Sequence, residues 1–283
     1  MSRQMTQHRD VRGVRGFFHK IGAEWPTFRT SVEFVAYSGG VADSGDGCYP
    51  NLTTKRWIVK QKLCASLDEA VEGVTDGARI MFGGFGGSGF PNNLIEALVR
   101  RGTKNITAIS NNCGTKEGEL SPLFKAGRIS HVIAAFPGPH SFYFQEGFAR
   151  GEVTIELVPQ GILCERMRAA AAGLLGFYTT VGVATEVAAG KEERVIDGRR
   201  CILESPIHAD YAFIKADKAD GLGNLTYRMA ARNFNPIMAM AASRTIVEVE
   251  EVVPVGSIDP EHVVTPAIFV HRMVVAKGIR YAN

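Results

Sequence analysis

Five glycines within seven residues follow a short apolar run and precede a proline, and this pattern constrains the fold more than any other part of the sequence. The run Arg79–Phe82 predicts a buried strand, and Pro91 suits the first turn of a helix whose apolar face includes Leu94 and Leu98. We call residues 83–89 the glycine loop. Its glycines permit positive φ and a close approach of backbone N–H groups to a ligand, and a helix N-terminus favours negative charge. The pattern therefore predicts a strand, a loop that binds an anion or a developing oxyanion, and a helix.

Short β-branched runs alternate with helical patterns through the rest of the chain from Val59, which predicts an α/β fold with an open, mainly parallel sheet and flanking helices. Residues 173–205 are rich in glycine and then in charge, and they predict a hairpin-like insertion. The predicted strands are residues 79–82, 106–110, 131–136, 153–158, 211–216, 245–249 and 268–275. The predicted helices are residues 66–74, 91–101, 118–126, 141–150, 160–172 and 235–242.

The net charge of +3 lies entirely in residues 1–58, which hold eight Lys and Arg against five Asp and Glu. We interpret 1–58 as an N-terminal extension, either a disordered tail or coding sequence upstream of the true start, with an organelle-targeting peptide as the alternative. Residues 59–283 hold 24 residues of each sign and form the predicted domain. A neutral domain argues against a nucleic-acid partner.

Neither the apolar runs nor the cysteines indicate a membrane or a metal. No window approaches the roughly 18 consecutive apolar residues that a membrane span requires. The five cysteines are scattered, without a C-x-x-C pair or a histidine at zinc-finger spacing. We therefore expect a cytoplasmic protein with no metal site and no membrane association.

Two known phosphate-binding loops are alternatives for the glycine loop. Gly84, Gly86 and Gly89 satisfy G-x-G-x-x-G, but a dinucleotide fold also needs an acidic residue at the end of the second strand, where residues 110–113 contain none. A P-loop fails because no Lys-Ser or Lys-Thr follows the glycines. A purely structural turn also fits less well, because an ordinary tight turn needs only one or two glycines. The missing acidic residue likewise makes an NAD(P)-dependent oxidoreductase fit less well than a protein with an anion-binding loop.

The segment Asp76–Pro91 matches in full a signature of family I coenzyme A transferases, written [DN]-[GN]-x-x, three apolar residues, G-G-F-x-x-x-G-x-P. The chain resembles the alpha subunit of this family from about Val59 to Val275, which implies a CoA-transferase fold of the NagB/RpiA-like type. Other matching segments are residues 110–112, 159–168, 176–179, 208–210, 223–228, 231–234 and 247–252.

The resemblance implies transfer of CoA from succinyl-CoA to a carboxylate through a mixed anhydride and a glutamyl-CoA thioester. In the family, the nucleophilic glutamate belongs to the beta subunit, inside a Ser-Glu-Asn-Gly motif that this chain lacks. We therefore expect no catalytic residue in this chain, a partner beta subunit in a heterodimer or heterotetramer, and no permanently bound cofactor. The expected acceptor is 3-oxoadipate. An acetoacetate-type enzyme and a non-catalytic CoA-ester-binding relative are the alternatives.

The resemblance also assigns binding roles. Asn111, Asn112 and Gln160 are candidates for binding the acyl group, with an Asn-rich turn and a helix cap as the structural alternatives. The residues expected to bind CoA are Gly83, Gly84, Phe85, Gly86, Gly87, Ser88 and Gly89.

Three further kinds of side chain have competing interpretations. Arg228 and Arg232 suit a dicarboxylate, with a salt bridge at a subunit interface or a strand end as the favoured alternative. We assign Glu165 to a structural ion pair rather than to nucleophilic catalysis. His208 is expected to lie at a strand edge, because the anhydride route needs no histidine.

Overall fold

The structure, a computed structural model, describes residues 62–115 and 117–276. The predicted extension and its boundary lie outside these residues. The helices are α1 (Leu67–Ala70), α2 (Asn92–Arg101), α3 (Ser121–Lys125), α4 (Phe142–Ala149), α5 (Gln160–Ala171) and α6 (Asn235–Ala241). Within the described ranges, no helix is long and apolar enough to cross a membrane.

Eleven strands form two sheets within the described part of the chain. The strands are β1 (Arg79–Phe82), β2 (Ile106–Ser110), β3 (Ile129–Ala134), β4 (Thr154–Leu157), β5 (Phe177–Thr179), β6 (Glu193–Ile196), β7 (Arg199–Glu204), β8 (Ala209–Asp220), β9 (Leu225–Thr226), β10 (Ala242–Val253) and β11 (Arg272–Val275).

The large sheet has the order β11-β10-β8-β1-β2-β3-β4 and is parallel throughout, apart from β9, which pairs antiparallel with β8. β1 lies near its centre and is covered on both faces. Ile80 and Phe82 belong to one apolar cluster, whereas Met81 belongs to the other. Burial on both faces explains why this strand is a continuous apolar run, and the α/β prediction is confirmed.

The predicted bounds are accurate to the residue for β1 and β2 and less accurate for the other elements. β8 and β10 each extend to 12 residues because charged side chains pair across them, as Lys218 and Glu251 do at 3.4 Å. The predicted last strand began too early, since residues 267–269 form a 3₁₀ turn. The predicted helix at 118 begins only at Ser121, because Glu119 has φ +60°, outside the helical region.

The insertion between α5 and β8 is a three-stranded antiparallel sheet of order β5-β7-β6. Asp197 and Gly198 connect β6 to β7 with φ of +49° and +74°, the backbone of a two-residue hairpin turn. The hairpin-like insertion is therefore confirmed, with one further strand.

Candidate functional site

The glycine loop forms a tight turn at the carboxyl end of β1. Phe85 and Ser88 close the turn with two backbone hydrogen bonds of 3.0 Å, each N–H donating to the other residue's carbonyl. Gly86 and Gly87 lie between them with φ of +54° and +81°, which glycine adopts without steric cost. Within the described residues these two amides donate to no backbone carbonyl, and the Gly87 amide lies close enough to the Glu119 carboxyl group to favour its charge.

A buried asparagine on α6 holds the loop at both ends. Asn235 is fully buried; its Oδ1 accepts a hydrogen bond from the Lys215 amide at 3.1 Å. Its Nδ2 donates to the carbonyls of Gly89 at 3.1 Å and Ala231 at 2.8 Å. The same side chain occupies the space that a Cβ at Gly83 would need. Asn235 therefore requires glycine at the start of the loop and fixes its end.

The two residues before Asn235 also contact the loop. Asn233 Nδ2 donates to the Ser88 carbonyl at 3.0 Å. The Phe234 ring stacks on Phe85, with 6.4 Å between ring centroids. The exposed tip of the loop is thus tethered to a segment almost 150 residues further along the chain.

The 3₁₀ turn Met229–Arg232 lies in the same segment; Arg228 precedes the turn and Arg232 is its last residue. Both arginines are exposed, and neither has an ion-pair partner among the described residues. The described residues contain no strand-end salt bridge of either arginine, a salt bridge at a subunit interface stays a prediction, and two cations lie in the segment that contacts the loop.

The N-terminus of α2 is bound to a carboxylate of the protein itself. Pro91 provides no side-chain cap, and Glu248 on β10 accepts hydrogen bonds from the amides of Asn93 at 2.9 Å and Leu94 at 3.3 Å. It also accepts one from Asn93 Nδ2 at 2.7 Å. Burial raises the pKa of the Glu248 carboxyl, and the donors together with Lys215, whose Nζ lies 3.5 Å away, oppose the rise. The helix end expected to attract a ligand is occupied, so an anion depends on the loop amides.

The second strand brings two of the predicted acyl-binding residues together. Asn111 follows β2 directly and is buried, and its Nδ2 donates to Oε1 of Gln160 at 3.2 Å. Gln160 begins α5 and is exposed. Asn112 instead accepts a hydrogen bond from the Gly114 amide at 2.8 Å, which closes a local turn. Because β1 and β2 are adjacent and parallel, Asn111 lies beside the start of the glycine loop.

The two residues assigned structural roles have structural contacts. Glu165 forms an exposed ion pair with Arg168 at 3.1 Å. His208 is exposed at the beginning of β8, and its carbonyl accepts a hydrogen bond from Arg79 Nε at 3.3 Å. Neither residue therefore contributes to the loop.

Sequence reasoning missed the side chains that support the loop from a distance. Asn233, Asn235 and Glu248 all lie more than 140 residues after it. Two signals were present: an asparagine that precedes a proline at a helix start, and a glutamate inside the apolar run of residues 246–249. A charge in a strand covered on both faces needs a partner, although the pattern does not say which one.

The chain matches the family model described as coenzyme A transferase over residues 64–276. It is 50% identical over 218 residues to the A-type subunit of 3-oxoadipate CoA-transferase from Pseudomonas putida, covering 77% of this chain and 94% of the relative. It is 46% identical over 213 residues to the A-type subunit of a probable succinyl-CoA:3-ketoacid coenzyme A transferase from Bacillus subtilis, covering 75% and 89%. It is 42% identical over 219 residues to the alpha subunit of acetate CoA-transferase from Escherichia coli, covering 77% and 99%.

Solved structures share the fold at low identity. An acyl-CoA transferase from E. coli O157:H7, in a thioester complex with CoA, superposes with a TM-score of 0.68 at 22% identity and covers 76% of this chain and 47% of that one. Glutaconate coenzyme A-transferase from Acidaminococcus fermentans gives a TM-score of 0.67 at 22% identity, covering 76% and 75%. Together with the family match, these likenesses confirm the resemblance and the fold: the chain belongs to the coenzyme A transferase family, as its A-type or alpha subunit.

Proposed function

We propose that this chain is the alpha subunit of a CoA-transferase that moves CoA from succinyl-CoA to 3-oxoadipate, with the glycine loop binding the thioester. The observation that carries the proposal is the turn at Gly86 and Gly87, whose two amides donate to no backbone carbonyl of the described residues and lie at the carboxyl end of a central strand. Ligands of open α/β sheets bind at this edge. Two amides aimed at one oxygen stabilise the charge that develops when a thioester carbonyl is attacked.

Asn111 and Gln160 extend this site toward the acyl group. Their mutual hydrogen bond orients both side chains beside the loop and leaves amide donors for a carbonyl or carboxylate. The relatives are each one kind of subunit of a larger enzyme, which supports a second kind of subunit here, and we propose that this partner supplies the nucleophilic glutamate. That glutamate attacks the succinyl thioester and displaces CoA thiolate, which leaves a mixed anhydride; the thiolate then attacks the glutamyl carbonyl of the anhydride, forming the glutamyl-CoA thioester and releasing succinate. The carboxylate of 3-oxoadipate reverses both steps: it displaces CoA thiolate from the glutamyl thioester, and the thiolate then attacks the 3-oxoadipyl carbonyl of the new anhydride and frees the glutamate.

Separate and joint assays of the subunits test this division of labour. We expect no transfer between succinyl-CoA and 3-oxoadipate from the purified chain, and transfer once it is co-expressed with a beta subunit carrying Ser-Glu-Asn-Gly. Thioester formation is followed by absorbance, with acetoacetate assayed in parallel. The control is the same complex with the motif glutamate replaced by glutamine. Activity in the lone chain, or in the glutamine complex, would refute the proposal.

The exposed arginines beside the loop give a test of the acceptor. Succinyl-CoA and 3-oxoadipate carry a distal carboxylate that acetoacetate lacks, and a charge-assisted hydrogen bond is worth about 1.5–3 kcal/mol. We expect Arg232→Gln to raise the KM for 3-oxoadipate by roughly ten-fold or more and to leave that for acetoacetate unchanged. Arg244→Gln, an exposed arginine near the amino end of β10, is the matched control. Equal effects on both acceptors would exclude recognition of the distal carboxylate by Arg232.

A further inference from the structure

Glu119 is a buried carboxyl group against the glycine loop that the proposed function leaves without a role. It lies in the connection between β2 and α3 and is 3% exposed. A Cβ placed on Gly87 would be 3.8 Å from Glu119 Oε1, so the carboxyl group lies against the turn that carries the Gly86 and Gly87 amides.

The position of Glu119 is costly in two ways. Within the described residues, neither carboxyl oxygen has a partner at hydrogen-bonding distance and angle, although Thr115, Asn112 and the Gly87 amide are close enough to favour its charge. The backbone of Glu119 has φ +60°, a value that residues other than glycine rarely adopt. A strained residue with an unsatisfied buried group is typical of functional sites rather than of packing.

The described groups that face Glu119 from the glycine loop and from residues 112–115 are uncharged. Glu117 and Lys125, the charged residues of its own loop and of α3, are exposed and lie 3.6 Å apart from each other. Lys116 lies outside the described residues. Burial is therefore the largest influence, and it raises the pKa of the Glu119 carboxyl above its usual value of 4.5.

We propose that Glu119 is a positioning residue that acts through Gly87: as a neutral acid it leaves the loop amides to the substrate, and as a carboxylate it opposes an anionic oxygen bound to them. The inference rests on the proposed function, because the anionic oxygen is the one that develops on the acyl group at the loop. Two unit charges about 5 Å apart at an effective dielectric constant of about 20 repel by roughly a hundred-fold in an equilibrium constant. A change of only about ten-fold in the equilibrium constant is already measurable.

The sign of the pH dependence follows from this geometry. Above pH 4.5 an ordinary glutamate ionises, whereas Glu119 stays protonated until the pH reaches its raised value. Substrate turnover through the loop is therefore favoured on the acidic side of that value and weakened above it. If Glu119 only filled space, its substitution would change kcat/KM by the same factor at every pH.

The experiment is a profile of kcat/KM for succinyl-CoA between pH 5 and 9, measured on the complex with the beta subunit. We expect the ratio of Glu119→Gln to wild type to rise by at least ten-fold across the range, because glutamine is neutral throughout. Glu119→Gly suits the positive φ and keeps the proposal testable if the glutamine variant folds poorly. Its profile is also expected to lose the fall that wild type shows. Ratios that stay constant with pH in both variants would overturn the inference.

Glu117→Gln is the matched control, since it removes one negative charge from the same connection at an exposed position. This variant is expected to follow the wild-type profile, and a ratio that changes with pH would contradict the assignment to Glu119. A complex that transfers no CoA in any form refutes the proposed function instead, so the two failures are distinguishable.

Discussion

Replacing Glu248 with alanine is expected to lower the free energy of unfolding by about 3–5 kcal/mol. The carboxylate receives three hydrogen bonds from Asn93 and Leu94 at the start of α2 and is fully buried. Its removal takes the carboxylate acceptor away from three buried donor groups, and the loss of such a bond costs about 1–3 kcal/mol. Lys215 keeps its contact with Glu250 at 2.7 Å, so the loss comes from the helix cap. Urea unfolding of the purified variants measures the change.

The matched control is Glu251→Ala, which removes a carboxylate from the same strand. Glu251 is exposed and pairs with Lys218 at 3.4 Å, so its loss is expected to cost less than about 1 kcal/mol. Glu248→Gln keeps one acceptor oxygen but turns an NH₂ group toward backbone donors, and we expect an intermediate value. Similar losses in Glu248→Ala and Glu251→Ala would show that the cap contributes nothing.

The second large effect is expected at Gly84, where alanine should reduce stability by roughly 3 kcal/mol and also impair transfer. Gly84 has φ +119°, and strain of this kind costs about 1–3 kcal/mol in other residues. The added Cβ would also overlap the ring of Phe90, which is 2% exposed and has little room to move. Overpacking adds about 1–3 kcal/mol.

Gly86→Ala separates strain in the loop from contact with the core. Gly86 has φ +54°, within the left-handed region, and a Cβ there would meet nothing within 4 Å. We expect a loss near 1 kcal/mol. Thermal unfolding of Gly84→Ala and Gly86→Ala, measured side by side, compares their stabilities. The kcat/KM of their complexes with a beta subunit shows how far each change in the loop impairs CoA transfer. Equal stability of the two variants would contradict the overlap with Phe90.

The sequence predicts β1 and β2 to the residue and the other strands of the large sheet less well, for a physical reason. Residues 79–82 and 106–110 lie in the middle of the sheet, where burial on both faces requires an unbroken apolar run. β8 and β10 continue past their apolar parts, since Lys215 and Lys218 pair with glutamates on the neighbouring strand. Such pairing depends on which strands are neighbours, and the local pattern does not contain that information.

The residues of the candidate site also differ in how far the local sequence predicts them. The local pattern is enough to predict the turn after β1 and the polar residue that follows β2, because a glycine cluster and polar residues at strand ends are visible within a few positions; the binding roles of these residues stay predictions. It did not suffice for Glu119, since a helical pattern continued through a residue whose φ is +60°. Nor did it identify Asn235 or Glu248, whose partners are set by the packing of α6 against β8 and β1 and by the parallel pairing of β10 with β8.

The tethering of the glycine loop by residues near position 235 has a consequence for the order of folding. During synthesis the loop leaves the ribosome long before Asn233, Asn235 and Glu248 have been made. Contacts separated by some 150 residues form late, because closing so long a loop costs conformational entropy before any contact repays it. A chain halted before residue 233 would hold the loop sequence without its supports. We therefore expect the capacity to bind a thioester to appear only when synthesis of the domain is nearly complete.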